Sequence, residues 1–188
     1  MTKIGITGSI ASGKTTASKI LSYKRGPLFS ADEVVKKLYK NNNFKKLLIK
    51  EFNLKKKTSL KKSLKNEIIK NKKNIKKLEK IVHPAVRDEM KKFFFLHKRK
   101  KKIFCEIPLL VESKLTKYFD VVIFIRAKKK MRLKRFKSKG GNKKLFIMLN
   151  NRQLSDQKKI QVCDHIVDNE KNLNILKKNL LGIINLYA

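Results

Sequence analysis

Residues 8 to 15 read Gly-Ser-Ile-Ala-Ser-Gly-Lys-Thr, a complete GxxxxGK[ST] pattern set between an apolar run at residues 3–7 and a helical stretch at 16–23. Glycines at both ends of such a loop let the backbone wrap an anion, so that successive N–H groups and a helix N-terminus face negative charge. Gly8, Ser9, Ile10, Ala11, Ser12 and Gly13 form the wrap. Lys14 reaches the β- and γ-phosphates, Thr15 offers a hydroxyl to Mg²⁺, and Thr16 continues the first helical turn. A glycine-rich turn that merely joins a strand to a helix would not need lysine and threonine directly after its second glycine.

Further groups fit the transfer of a phosphoryl group. Leu28-Phe29-Ser30 reads as a short second strand, expected beside the first, with Asp32 at its end. There the Asp32 carboxylate would face the γ-phosphate and take the proton of an attacking hydroxyl; a helix N-cap or an outer Mg²⁺ contact are the alternatives. Glu106, ending a third strand, suits a Mg²⁺-bound water or a structural role. Arg132, Arg135 and Lys139 lie about one helical turn apart ahead of Gly140-Gly141, as in a lid that neutralises triphosphate charge. A guanine reader of the Asn-Lys-x-Asp kind is missing, because Asn71-Lys72-Lys73-Asn74 lacks the acid and sits in a helical region. A small kinase needs little beyond the loop, a base, an acceptor-binding insert and a lid.

The elements that must position these groups follow from hydrophobic period. Residues 33–52 carry apolar positions at helical spacing, interrupted at Asn41-Asn42-Asn43, and residues 58–97 repeat the pattern. Residues 102–107 and 120–125 are near-continuous apolar strands, as in a parallel sheet covered on both faces. Helices are expected at 128–138, 143–154 and 173–186, with a last short strand at 165–167. The order β-α-β-(helical insert)-β-α-β-α-β-α makes an α/β fold: a doubly wound parallel five-stranded sheet of P-loop kinase type. One domain over 1–188 is expected, with a helical acceptor-binding insert at 33–97 and a short lid region at 132–152.

Composition bounds the partners. The formal charge is +36, yet only 7 of the 50 basic residues are Arg and 43 are Lys. Arg is the residue suited to two-point phosphate and guanine contacts, so an excess spread as Lys reads as solvated surface. Small-molecule substrates are therefore expected, and nucleic-acid binding only as non-specific attraction. A nucleic-acid-binding NTPase remains the different-class alternative. No apolar run approaches the ~20 residues of a membrane span. The first strand begins at once, leaving no room for a signal peptide, and cytoplasm is the expected compartment. Cys105 and Cys163 lie in apolar stretches without metal-binding spacing and read as two buried reduced thiols; His83, His97 and His165 are too scattered for a zinc site.

The chain resembles the dephospho-CoA kinase family nearly end to end. The likeness is carried by IGITGSIASGKTTASKIL, SADEVVKKLY, His83-Pro84-Ala85-Val86-Arg87, Glu106-Ile107-Pro108-Leu109-Leu110-Val111-Glu112 with Phe119-Asp120, and Gln153 leading into Cys163-Asp164-His165-Ile166-Val167-Asp168-Asn169. The resemblance implies ATP-dependent phosphorylation, with Mg²⁺, of the ribose 3′-hydroxyl of dephospho-CoA. It makes Asp32 the base and Arg135 the lid arginine, with residues 8–15 holding ATP. It assigns His83, Pro84, Arg87, Pro108, Leu109, Leu110 and Glu112 to the acceptor side. Ser30 stands where the family usually has the first acid of a pair, and Lys139 where a second lid arginine is common.

Overall fold

The computed structural model describes residues 1–54, 59–71 and 73–187. Thr58, where the second helical stretch was expected to begin, and Lys72 of the Asn-Lys-Lys-Asn run lie outside the described residues. In chain order the elements are β1 (Thr2–Gly8), α1 (Lys14–Ser22), β2 (Leu28–Ser30), α2 (Ala31–Leu38), α3 (Asn42–Glu51), α4 (Leu60–Lys70) and α5 (Lys73–Leu96). Then come β3 (Lys102–Glu106), a 3-10 turn at Thr116–Tyr118, β4 (Val121–Arg126), α6 (Lys129–Ser138), α7 (Lys143–Asn150), α8 (Asp156–Ile160), β5 (His165–Asp168) and α9 (Leu173–Asn185). They pack as two compact units, Met1–Ser30 with Phe94–Ala188, and Ala31–Phe93.

The first unit holds the sheet. All five strands pair in parallel, in the order β2-β3-β1-β4-β5, with Ile6 opposite both Glu106 and Ile123. This corrects one expectation: β2 does not neighbour β1, because β3 lies between them. The physical reason is apolar content. Ile103, Phe104 and Cys105 are all fully buried, whereas β2 is three residues long with one buried side chain, which suits an edge. Strands β3 and β4 flank β1, so a crevice opens beyond the carboxyl end of β1, where the chain switches direction across the sheet.

One face of the sheet buries Ile4, Ile6, Val121, Ile123 and Ile125 against Ala17 and Leu21 of α1 and Leu176, Leu180 and Ile184 of α9. Each fully buried aliphatic side chain here contributes about 1.5–3 kcal/mol. On the other face Gly5 admits close neighbours: a Cβ there would stand 2.8 Å from Leu110 and 3.1 Å from Phe119. The segment after β3 is thereby laid flat against β1.

The second unit is helical. Phe44, Leu48, Phe52, Leu54 and Leu64 form its core, with Leu38, Leu78, Ile81 and Val82 packed against them. Asn41 caps α3 by accepting the Phe44 N–H at 3.0 Å, so the asparagine run interrupts the helix as expected. His83 and Pro84 fall inside the 24-residue α5. Pro84 has no N–H to return to the carbonyl one turn earlier, a cost this helix carries in mid-length.

Three features differ from the sequence reading, the first being that the residues between β3 and β4, where a helix was expected, form turns and the 3-10 helix Thr116–Tyr118. The helix expected over 143–154 stops at Asn150, and α8, which the sequence reading did not expect, begins behind Ser155, whose hydroxyl accepts the Lys158 N–H at 3.4 Å. Cys163 is half-buried, not buried, while Cys105 is fully buried. Burial raises both thiols, Cys163 to about 11, with Asp164 and Glu112 adding to the rise and Lys159 opposing it. The thiolate is the reactive form, so at pH 8 iodoacetamide should modify Cys163 about a hundredfold more slowly than a free cysteine, and Cys105 more slowly still. The rate at Cys163 should climb about tenfold per pH unit up to pH 10; modification at the ordinary rate at pH 8 would contradict this environment.

Candidate active site

Gly8 closes β1 opposite Ile125, and the chain then wraps through a tight turn in which the Ser12 N–H donates to the Ser9 carbonyl at 3.1 Å. Left-handed backbone at Ala11 (φ 58°) and Gly13 (φ 100°) returns the chain to the start of α1 at Lys14. No side chain caps that helix at Gly13, so its first-turn amide dipoles are available to an anion. Lys14 is 9% exposed and donates to the Ser9 carbonyl at 3.0 Å, which folds its ammonium back over the loop. Thr15 and Thr16 are exposed.

Glu106 sits at the carboxyl end of β3, 3% exposed. One of its oxygens accepts the Thr15 hydroxyl at 2.6 Å, the other the Ser18 hydroxyl at 3.3 Å. A threonine hydroxyl beside a carboxylate is a hard oxygen pair that fits Mg²⁺, which keeps several waters and takes further oxygens from phosphate. Among the described residues no three His, Cys, Asp or Glu converge, so a cation here would draw its other ligands from nucleotide and water.

The loop is braced along its length. The Ser9 hydroxyl bonds Asp156, and the Ile10 N–H donates to Gln153 at 2.8 Å. The Ser12 carbonyl accepts the Asn169 amide at 2.8 Å and the Arg135 Nη1 at 3.4 Å, while Arg135 Nη2 donates to the Asn169 carbonyl at 2.9 Å. Arg132, 5% exposed, donates to the carbonyls of Ala127 and Ile10 and to Asn150, and its guanidinium lies over the Phe146 ring at 5.8 Å. Burial lowers the Arg132 pKa, with Asp156 pulling the other way. Lys139, at the exposed end of α6, has no such place. Beside this bracing opens a cleft of about 760 Å³ lined by Arg126, Lys128, Arg132, Asp156, Asp168 and Glu170. Across it Arg126 grips Asp168 through two bonds of 2.6 and 2.7 Å, which holds the Asp168 carboxyl below its ordinary range.

The residues expected on the acceptor side divide between the two units. In the first, the Pro108 carbonyl accepts the Thr7 hydroxyl at 3.4 Å, Leu109 is half-buried, and Leu110 is fully buried behind Gly5. Glu112 turns its carboxylate to the fully buried Lys159 at 2.8 Å and to the Leu154 N–H at 3.1 Å. In the helical unit, Asp32 does not end the strand as expected. The strand stops at Ser30, and Asp32 stands in the first turn of α2, where an acid suits the helix dipole. His83 and Arg87 share one face of α5 four residues apart. Sequence reading missed Asp156 and Lys159 as neighbours of the site. The Ser155-Asp156 pair was the available signal, a cap followed by a first-turn acid.

A family model described as dephospho-CoA kinase matches residues 2–174. The dephospho-CoA kinase of Bartonella henselae is 33% identical over 186 residues, covering 96% of this chain and 95% of its own. That of Fusobacterium nucleatum is 32% identical over 94% of each chain. Among solved structures, a dephospho-CoA kinase from Campylobacter jejuni superposes with a TM-score of 0.69 at 26% identity, covering 97% of this chain and 95% of that one. A Thermus thermophilus protein reaches 0.83 at 22% identity over 100% and 98%, and supports the fold alone. With a phosphate loop closing β1 of a five-stranded parallel sheet and the family model matching nearly the whole length, the chain belongs to the dephospho-CoA kinase family.

Proposed function

We propose that this chain transfers the γ-phosphate of ATP to the ribose 3′-hydroxyl of dephospho-CoA, giving coenzyme A and ADP in the cytoplasm. The observation that carries the reading is the braced phosphate loop with the Thr15 hydroxyl 2.6 Å from Glu106, in a chain of that family. No helix among the described residues is long and apolar enough to cross a membrane, in keeping with small-molecule substrates.

Catalysis rests on positioning and charge neutralisation. Residues Gly8 to Thr16 hold the triphosphate by backbone N–H groups, with Lys14 swinging from the Ser9 carbonyl to the phosphate oxygens. Thr15 and Glu106 would hold Mg²⁺, which would neutralise phosphate charge when bound. The cleft beside Arg132 has room for the nucleoside end of ATP. Arg135, already within 3.4 Å of the Ser12 carbonyl, counters charge on the transferring group. Asp32 takes the proton as the 3′-oxygen bonds to phosphorus and the bridging oxygen leaves with ADP. His83, Pro84 and Arg87, with Pro108, Leu109, Leu110 and Glu112, shape the acceptor side; Glu112 and Leu110 do so from behind, through the loop that carries them.

The test is a panel of hydroxyl acceptors with Mg-ATP, following ADP release. Dephospho-CoA should be turned over at least 10²-fold more efficiently than nucleosides, nucleoside monophosphates or shikimate, because a site built to pair a substrate's polar groups rejects those lacking them. Preference for any other acceptor in the panel would overturn the assignment.

A further inference from the structure

Lys159 is fully buried, whereas most other lysines among the described residues face solvent. An ammonium is held at such depth only against a partner that compensates its lost hydration. Its partner is Glu112, whose Oε1 lies 2.8 Å from the ammonium and also accepts the Leu154 N–H at 3.1 Å. One carboxylate oxygen thus pins residues 154 and 159, the two ends of a segment that contains α8. Between and beside those pins stand the two side chains that hold the front half of the phosphate loop: Asp156 on the Ser9 hydroxyl and Gln153 on the Ile10 N–H. Ser9 in turn carries Lys14 on its carbonyl. A continuous set of contacts therefore runs from the loop after β3, through Glu112, Lys159 and Asp156, to Ser9 and Lys14. The second carboxylate oxygen of Glu112 and the Lys159 ammonium are both buried without a hydrogen-bond partner, so charge attraction at 2.8 Å and the single Leu154 N–H hold that carboxylate in place.

We propose that Lys159 is a positioning residue for ATP: paired with Glu112, it fixes the 153–159 segment so that Asp156 and Gln153 hold Ser9 and Ile10, the front half of the phosphate loop, in the geometry that receives triphosphate. It touches no substrate. The inference rests on the reading of residues 8–15 as the ATP loop and deepens it, since it couples that loop to the segment assigned to the acceptor.

Lys159→Met keeps the length and apolar body of the side chain and removes the charge; Glu112→Gln keeps the shape and breaks only the ion pair. Both variants, and Asp156→Asn, are assayed for the ATP and dephospho-CoA KM values and for kcat, and for affinity toward a fluorescent ATP analogue, with melting followed by circular dichroism. Lys159→Met and Glu112→Gln should each raise the ATP KM and the analogue Kd about tenfold, with kcat at saturation reduced less than threefold. Lys159→Met combined with Asp156→Asn should be no worse for the ATP KM than the poorer single variant, because both act on one connection to Ser9. Should Lys159→Met fail to fold, Glu112→Gln decides the matter alone. A variant that melts earlier but keeps its ATP KM within twofold overturns the inference, as do multiplicative effects in the double variant. A rise confined to the dephospho-CoA KM also overturns it, while leaving the acceptor role of the loop after β3 intact.

Discussion

Gly13→Ala should weaken ATP binding by on the order of 10²-fold and lower the melting temperature by about 3–10 °C. Gly13 holds φ at 100°, a region that side chains with a Cβ rarely enter, and the strain of placing alanine there costs about 1–3 kcal/mol. The added Cβ would also overlap the amide nitrogen of Asn169. That amide donates to the Ser12 carbonyl, and the Asn169 backbone carbonyl is where Arg135 anchors. Displacing Asn169 therefore loosens the rear of the loop and Arg135 together, at the point where α1 begins. Calorimetric titration with ATP and a thermal melt read the two effects separately. An alanine variant that binds ATP within threefold of the parent would mean that the loop does not need this conformation to receive phosphate.

Asp32→Asn should lower kcat by on the order of 10²-fold or more while ATP affinity stays within about threefold. The exchange keeps size and shape and removes the capacity to take a proton. The ATP-holding residues belong to a different compact unit from Asp32, so binding of the nucleotide is expected to survive. Position in the chain supports the choice: Asp32 follows by two residues the Ser30 that stands opposite Glu106 in the sheet register, at the carboxyl edge of the strands. A second reading, an acid that only favours the start of α2, predicts a small loss of stability with turnover intact. Steady-state rates with dephospho-CoA at saturating ATP separate the two, and near-normal turnover would remove Asp32 from the mechanism.

What the sequence made legible was local chemistry and continuous pattern. The GxxxxGK[ST] run needs no tertiary information, and β3 and β4 announce themselves as buried strands because Ile103 to Cys105 and Val121 to Ile125 are apolar without alternation. Strand order was not legible in the same way. Which strand takes the centre depends on the competition between β2 and β3 for burial, and the expectation that β2 lies beside β1 failed on that point. Helix α8 is five residues long, too short for a hydrophobic period, and sequence reading assigned no element to it. Lys159 escaped notice because a lysine among so many reads as solvent-facing; only the fold brings Glu112 to it across 47 residues of chain. Arg132 was read as a charge neutraliser, and in the fold its Nε and Nη1 also brace the loop through Ala127, Ile10 and Asn150, a role only tertiary structure shows.

The central claim is that this loop delivers the γ-phosphate of ATP to one hydroxyl of one acceptor. The most direct measurement is ³¹P NMR of the product formed from dephospho-CoA and Mg-ATP. The account predicts one new phosphomonoester resonance, coupled to the ribose 3′ proton, appearing in step with ADP. Hydrolysis of ATP to ADP and free phosphate without that resonance, or a phosphate on any other oxygen, would contradict it.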